Sequence, residues 1–150
     1  MESSVVAAFW EANAAEWTRQ SLAGLDVYRD ALNTPHVLAM MPPVDGLSGL
    51  DIGCGEGTNT RQVARRAAKM MAVDIAPTFI ARAQASESVD PLHIDYQVAD
   101  AASLPFGAER FDFATAFMSM MDVADQQSAL MEAFRVLKPG GFFQFSILHP

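Results

Sequence analysis

From residue 47 onward, short apolar runs alternate with segments whose apolar residues recur every three to four positions. The pattern predicts strands over 47–52 (LSGLDI), 69–74 (KMMAVD), 93–100 (HIDYQVAD), 111–117 (FDFATAF) and 141–148 (GFFQFSIL). Between the first two, TRQVARRAA places Val63, Ala64, Ala67 and Ala68 on one helical face. After the second, PTFIARAQA gathers Ala76, Phe79, Ile80 and Ala83, with Pro77 in the first turn. Asp125 is positioned to cap QQSALMEAFRVL, whose expected buried face is Leu130, Phe134 and Leu137; Pro139-Gly140-Gly141 ends that helix. Strands joined by crossover helices imply an α/β fold, a Rossmann-like, doubly wound and mostly parallel sheet of about five strands. The continuous run MMAV suits a strand covered on both faces, whereas Ile94, Tyr96 and Val98 alternate with polar residues, as on a half-exposed edge strand.

The first 45 residues read instead as short helices, a segment (1–45) set before the core (46–150). SSVVAAFWEANAAEW brings Val6, Phe9, Asn13 and Trp17 to one face. Asp26 is expected to cap VYRDAL, and Thr34-Pro35 to start a helix over HVLAMM that Pro42-Pro43 stops.

Charge narrows the range of partners. A net charge of −8 over 150 residues argues against nucleic acid or an anionic membrane as the main partner. Cys54 is the only cysteine, and His36, His93 and His149 share no ligand-like spacing, so no disulfide and no metal site is expected. The N-terminus has an acid where a signal peptide needs a base, no segment approaches a membrane span, and the expected location is the cytoplasm.

The chemistry concentrates in LDIGCGEGTNT (50–60). Asp51, Gly53, Gly55 and Gly57 lie where the first strand opens into a helix, the position at which open α/β sheets bind ligands. Glycines there allow a tight turn and a close approach of ligand to backbone. The second strand ends in Asp74, where a carboxylate can accept hydrogen bonds from ribose hydroxyls, and the third ends in Asp100 followed by Ala101. Either acid alone reads as a helix cap or a solvated charge; three strands finishing at one rim in glycine or acid favour a nucleoside-like ligand. A dinucleotide fingerprint would need glycine at 58, where this chain has Thr58, and Asp51 and Glu56 suit a ligand carrying positive charge.

LDIGCGEGT resembles the first motif of the class I S-adenosylmethionine-dependent methyltransferases (methyltransferase type 11-like). AVDIAPTFIARA resembles the second, VADAASLPF the third, and FDFATAF with EAFRVLKPGGFFQFSI the fourth strand and the helix–turn–strand that follows; the likeness covers roughly residues 45–148. The resemblance implies that Asp74 binds the ribose, that Ile75 lies against the adenine, and that Asp100 and Ala101 hold the base edge. It further implies that Gly53 and Gly55 admit the methionine portion, with Asp51 near its ammonium, and that Phe117 sits close to the sulfonium. Cys54 and Gly57 complete the turn, Cys54 as a small residue. Phe9, Trp10 and Trp17 would contribute to a lid, with Tyr28 and Arg29 reaching the methionine carboxylate. Ile75 and Phe117 also read as plain core residues, and an amphipathic packing helix also explains the N-terminal aromatics. Asp122, Asp125 and His149 are possible bases, but loop acid, N-cap and chain-end residue are the stronger readings, and no catalytic base is assigned.

The implied activity is methyl transfer from S-adenosylmethionine, leaving S-adenosylhomocysteine, to a small-molecule acceptor. A binding-only module of the same fold is the alternative, and a nicotinamide-dependent oxidoreductase is the third reading. The family pattern continues with a sixth and seventh strand, whereas this sequence stops at LHP, directly after the fifth. A shortened chain is therefore expected, with another copy or a partner covering the exposed edge of the fifth strand.

Overall fold

The computed structural model describes residues 2–66 and 68–149. Helix α1 (Ser3–Leu22) is followed by a π-helical turn (Arg29–Asn33) that runs directly into α2 (Thr34–Met40). The core then alternates as β1 (Ser48–Ile52), α3 (Thr58–Ala64), β2 (Lys69–Asp74), α4 (Pro77–Val89), β3 (Asp95–Val98), β4 (Phe111–Phe117), α5 (Gln126–Val136) and β5 (Leu137–Ser146). A 3-10 turn, Met120–Asp122, lies between β4 and α5.

All neighbouring strands are parallel, in the order β3-β2-β1-β4-β5. The order reverses at β1, so a crevice opens above the carboxyl ends of β1 and β4. The apolar runs of β1, β2 and β4 fill the interior: Leu50, Ile52, Phe111 and Phe113 are fully buried. β2 and β4 keep their predicted bounds and β1 starts one residue later. Tyr96 is buried on the edge strand β3, but Val98 is exposed and the strand ends there, two residues before Asp100.

The faces of the helices depart from the simple pattern. On α4, Ala76, Phe79, Ile80 and Ala83 are all buried as expected. On α5, the buried residues are Ala129, Ala133 and Val136, whereas Leu130 is 46% and Phe134 82% exposed. The two stripes are offset by one residue, and the smaller side chains face the sheet because they let the helix sit close to it. Asp125 does cap α5, accepting from Ser128 N at 3.0 Å.

Leu137 is the first residue of β5 and pairs with Phe111; the ladder then jumps to Phe113–Phe142, so Lys138 to Gly141 form an irregular excursion and not a clean stop before residue 141. Helix α3 ends at Ala64; Ala68 is buried on the way into β2, and Ala67 falls outside the described residues.

The N-terminal segment corrects two expectations. α1 is a single helix of 20 residues whose buried positions are Ala14, Thr18 and Ser21; Phe9 is 61% exposed, so Val6, Phe9, Asn13 and Trp17 do not form its packing face. Trp10 turns inward instead, 6.3 Å from the Phe79 ring of α4. Glu11 accepts from Thr78 N at 3.0 Å and from Thr78 Oγ1 at 2.6 Å, satisfying an N-terminal donor of α4 from another helix. Asp26 accepts from Arg29 N at 3.0 Å, as a cap should. Thr34 caps nothing: the helix already runs through it, and its hydroxyl donates to Asn59 Oδ1 at 2.7 Å.

Candidate active site

The turn after β1 is built by three left-handed glycines, Gly53 (φ +72°), Gly55 (φ +56°) and Gly57 (φ +86°). They are not equivalent. A Cβ on Gly53 would lie 2.4 Å from Ser119 Cβ, and one on Gly57 would lie 2.6 Å from Tyr96 Oη. These two positions are required by packing as well as by backbone conformation. A Cβ on Gly55 would meet nothing within 4 Å. Gly55 therefore fronts open space.

That space is a cavity of about 370 Å³ bounded by the glycine turn, the ends of β2, β3 and β4, and α1. The volume lies within the range of small-molecule sites. Nine of the ten predicted cofactor residues line it; Gly57 does not, being turned against Tyr96. Asp74 and Asp100 thus face one cavity from the ends of neighbouring strands. Gly55 N donates to Asp74 Oδ2 at 2.9 Å and Ala76 N to Oδ1 at 3.0 Å, which orients the carboxylate and leaves each oxygen a further lone pair. Burial pushes the Asp74 carboxyl above the usual range, against the pull of those two N–H groups. Asp100 accepts from Ala102 N at 2.9 Å.

Asp51 lies deeper, 1% exposed. Its carboxylate accepts from the Thr60 hydroxyl and, at 2.9 Å, from Thr115 Oγ1. Burial raises its pKa to about 6 despite these donors, and Asp74 adds a like charge. A cation in the cavity would restore the ionised form. Burial, with the neighbouring Asp74, Asp51 and Glu56, also drives the Cys54 thiol well above its ordinary value, so it stays a protonated packing group and not a nucleophile.

The opposite wall carries residues that the sequence reading did not assign to the site. Met118 adopts φ +56°, rare outside glycine, and turns the chain sharply at the end of β4. Its N–H donates to Ser146 O at 3.1 Å, and Ser119 Oγ donates to Ile52 O at 2.6 Å. The loop after β4 is thereby fastened against Gly53, and it sends Met121 to Ala124 across the cavity mouth. Of the expected lid residues, Trp10, Trp17, Tyr28 and Arg29 reach the cavity and Phe9 does not. Arg29 donates to Glu56 at 3.3 Å, to Ser21 and to Asp30, so the N-terminal segment is tied directly to the glycine turn. Glu56, read from the sequence only as an acid suited to a positively charged ligand, is buried in the turn. Nothing in the sequence pattern marks Met118. Asp125 is occupied as the α5 cap and Asp122 lines the mouth.

Among the described residues no group of three or more His, Cys, Asp or Glu could hold a metal, and no helix is long and apolar enough to cross a membrane.

Comparison with known proteins gives this geometry a family. Residues 50–145 match the family described as "Methyltransferase domain". An uncharacterized protein of Mycobacterium tuberculosis is 31% identical over 119 residues, which are 74% of this chain and 43% of that protein. A ubiquinone biosynthesis O-methyltransferase of Methylobacterium sp. is 36% identical over 101 residues, covering 67% of this chain and 41% of that enzyme. The chain thus spans about two fifths of the length of the curated relatives it matches. The crystal structure of an S-adenosylmethionine-dependent methyltransferase from Mesorhizobium loti superposes with a TM-score of 0.71 at 32% identity, over 77% of this chain and 53% of that one. Sequence and fold agree across the stretch from β1 to β5 that forms the cavity's rim, and the chain belongs to the methyltransferase domain family, within the class I S-adenosylmethionine-dependent methyltransferases.

Proposed function

We propose that the protein transfers a methyl group from S-adenosylmethionine to a small-molecule acceptor. The observation that carries this reading is the shared cavity of Asp74, Asp100 and the open face of Gly55. Asp74 accepts the ribose hydroxyls, and Ile75, Asp100 and Ala101 hold the base. Gly55 leaves room for the methionine portion, whose ammonium offsets the buried Asp51 charge. Asn33 also lines the cavity with a buried amide nitrogen that has no partner among the described residues, a donor suited, with Arg29, to a carboxylate. Phe117, with Met118, forms the wall beside the reacting end. In this division, residues 1–45 are the lid and 46–150 the cofactor-binding core.

The cofactor supplies a methyl group already activated on a sulfonium. The chain's own contribution is to align the acceptor with that methyl group and to exclude water, through the fixed turn at Met118–Ser119 and the apolar cover of Trp10. No side chain is needed to activate the donor.

The binding-only alternative keeps the same contacts and differs only in turnover. Thermal unfolding with S-adenosylmethionine, S-adenosylhomocysteine and NAD tests the proposal. A ligand at a hundred times its Kd adds about 2.7 kcal/mol, roughly 5–10 °C for a chain of this size. Both sulfur ligands should raise Tm by that order and NAD should not. A shift with NAD alone, or with none of the three, would overturn the assignment.

A further inference from the structure

Among the described residues, three other than glycine adopt a left-handed backbone: His93 (φ +61°), Glu109 (φ +53°) and Met118 (φ +56°). His93 and Glu109 are polar and exposed on loops, and histidine is enriched in this conformation. Met118 is different. It is apolar and half-buried, and its side chain has no donor or strong acceptor to bond the local backbone. Glycine would make the same turn without strain.

The turn is imposed by its neighbours. Met118 N donates to Ser146 O and to Ser146 Oγ, both at 3.1 Å, and Ser119 Oγ donates to Ile52 O at 2.6 Å while its side chain abuts Gly53. Adjoining strands therefore hold the backbone whatever side chain position 118 carries. The fold does not use that side chain either: among the described residues, Met118 joins none of the three apolar core clusters. It lines the cavity instead, as do Val6 and Met121, which also stand outside those clusters. Trp10 lines the same cavity, its ring fixed by edge contacts at 5.6 Å with Phe9 and Trp17 and by Phe79 at 6.3 Å. Apolar surface that closes no core and fronts a cavity is surface offered to a ligand.

We propose that Met118 is a specificity-determining residue whose thioether packs against the ring of a small aromatic methyl acceptor. The proposal rests on the methyl-transfer reading above and names the acceptor class for the same cavity. The cofactor contacts assigned there lie on the glycine-turn side and leave this apolar wall to the acceptor. An aromatic ring suits the wall better than a saturated ring of equal size. Methionine sulfur gains from contact with a ring edge, and a fixed indole gains from a second ring. The unbranched thioether chain also adapts to the ring's outline, as a β-branched side chain would not.

The test titrates the protein saturated with S-adenosylhomocysteine against phenol and cyclohexanol, followed by NMR. The two probes share a six-membered ring and a hydroxyl and differ in aromaticity. Wild-type protein should bind phenol about fivefold more tightly than cyclohexanol. Met118→Leu keeps the apolar volume and removes the sulfur, so the preference should fall to about twofold, the share left to Trp10. A purely structural role for Met118 would leave that ratio unchanged. Met118→Gly should melt no lower than wild type, because relief of the left-handed strain offsets the freer unfolded chain, and should bind phenol about threefold more weakly. The proposal is overturned if wild type binds cyclohexanol as well as phenol, if it binds neither, or if Met118→Leu keeps the full preference. A Tm several degrees lower in Met118→Gly would also overturn it, by showing that the side chain packs the fold. Failure of S-adenosylhomocysteine to bind wild type at the first step would strike the methyl-transfer reading, and this proposal with it.

Discussion

The two walls of the cavity are held in different ways. The wall made by β1, β2 and the glycine turn is held by hydrogen bonds between adjoining strand ends: Gly53 N and Cys54 N both donate to Val73 O, at 2.8 and 2.9 Å, and Gly55 N donates to the Asp74 carboxylate. The facing wall, made by α1 and the loop after β4, depends on a few long-range ties. Glu11 holds Thr78, Arg29 holds Glu56, and Ser119 holds Ile52 O. One wall is therefore preorganised by the sheet. The other can be loosened one contact at a time.

If that contrast is right, damage to the first wall should abolish binding, and damage to the second should tune it. Asp74→Ala should have the largest effect, a loss of at least about 100-fold in affinity for S-adenosylhomocysteine by calorimetry, since it removes charged hydrogen-bond acceptors from a buried rim. Next come the glycines, which separate packing from ligand space. Gly53→Ala forces a Cβ to within 2.4 Å of the Ser119 side chain and should lower Tm of the ligand-free protein by several degrees. Gly55→Ala carries only the left-handed backbone cost of about 1–2 kcal/mol, a smaller Tm loss, yet should weaken the ligand more than tenfold. Equal Tm losses with equal binding losses would erase the distinction between the two positions.

Asp51 sharpens the comparison through pH. Its folded pKa of about 6 lies above its ordinary value of 3.8. The folded chain therefore holds this proton after the unfolded chain has released it. The stability this contributes is fully present below about pH 4 and is lost as pH rises through 6, at a cost of about 3 kcal/mol. Relative to wild type, Asp51→Asn should flatten that part of the profile in chemical denaturation. Bound S-adenosylhomocysteine, bringing its ammonium, should flatten the wild-type profile in the same direction. The smallest effect belongs to the facing wall. Glu11→Ala should weaken ligand binding by only a few-fold while increasing hydrogen exchange along α1, because it removes one surface tie and one cap.

The first wall was also the more legible in sequence. Three glycines between a strand and a helix, Asp74 at the end of a fully apolar run, and Asp100 at the end of an alternating one are local signals, and β2 and β4 were bounded correctly by their apolar runs alone. The second wall was not. The inward turn of Trp10, with Phe9 left in solvent, depends on where α4 lies, and the left-handed turn at Met118 is imposed by the strands on either side. Helices α4 and α5 show the same limit. Both carry apolar stripes, but on α5 the stripes Ala129/Ala133/Val136 and Leu130/Phe134/Leu137 are one residue apart. Periodicity weighted by size selects the larger side chains, whereas close approach to the sheet selects the smaller. Only the tertiary arrangement decides between them.

The most direct measurement is a crystal structure with S-adenosylhomocysteine bound. The account predicts both ribose hydroxyls within hydrogen-bond distance of the Asp74 carboxylate, the adenine beside Asp100 and Ala101, and the amino-acid end passing over Gly55. Electron density for the ligand elsewhere, or a ribose with no contact to Asp74, would contradict it.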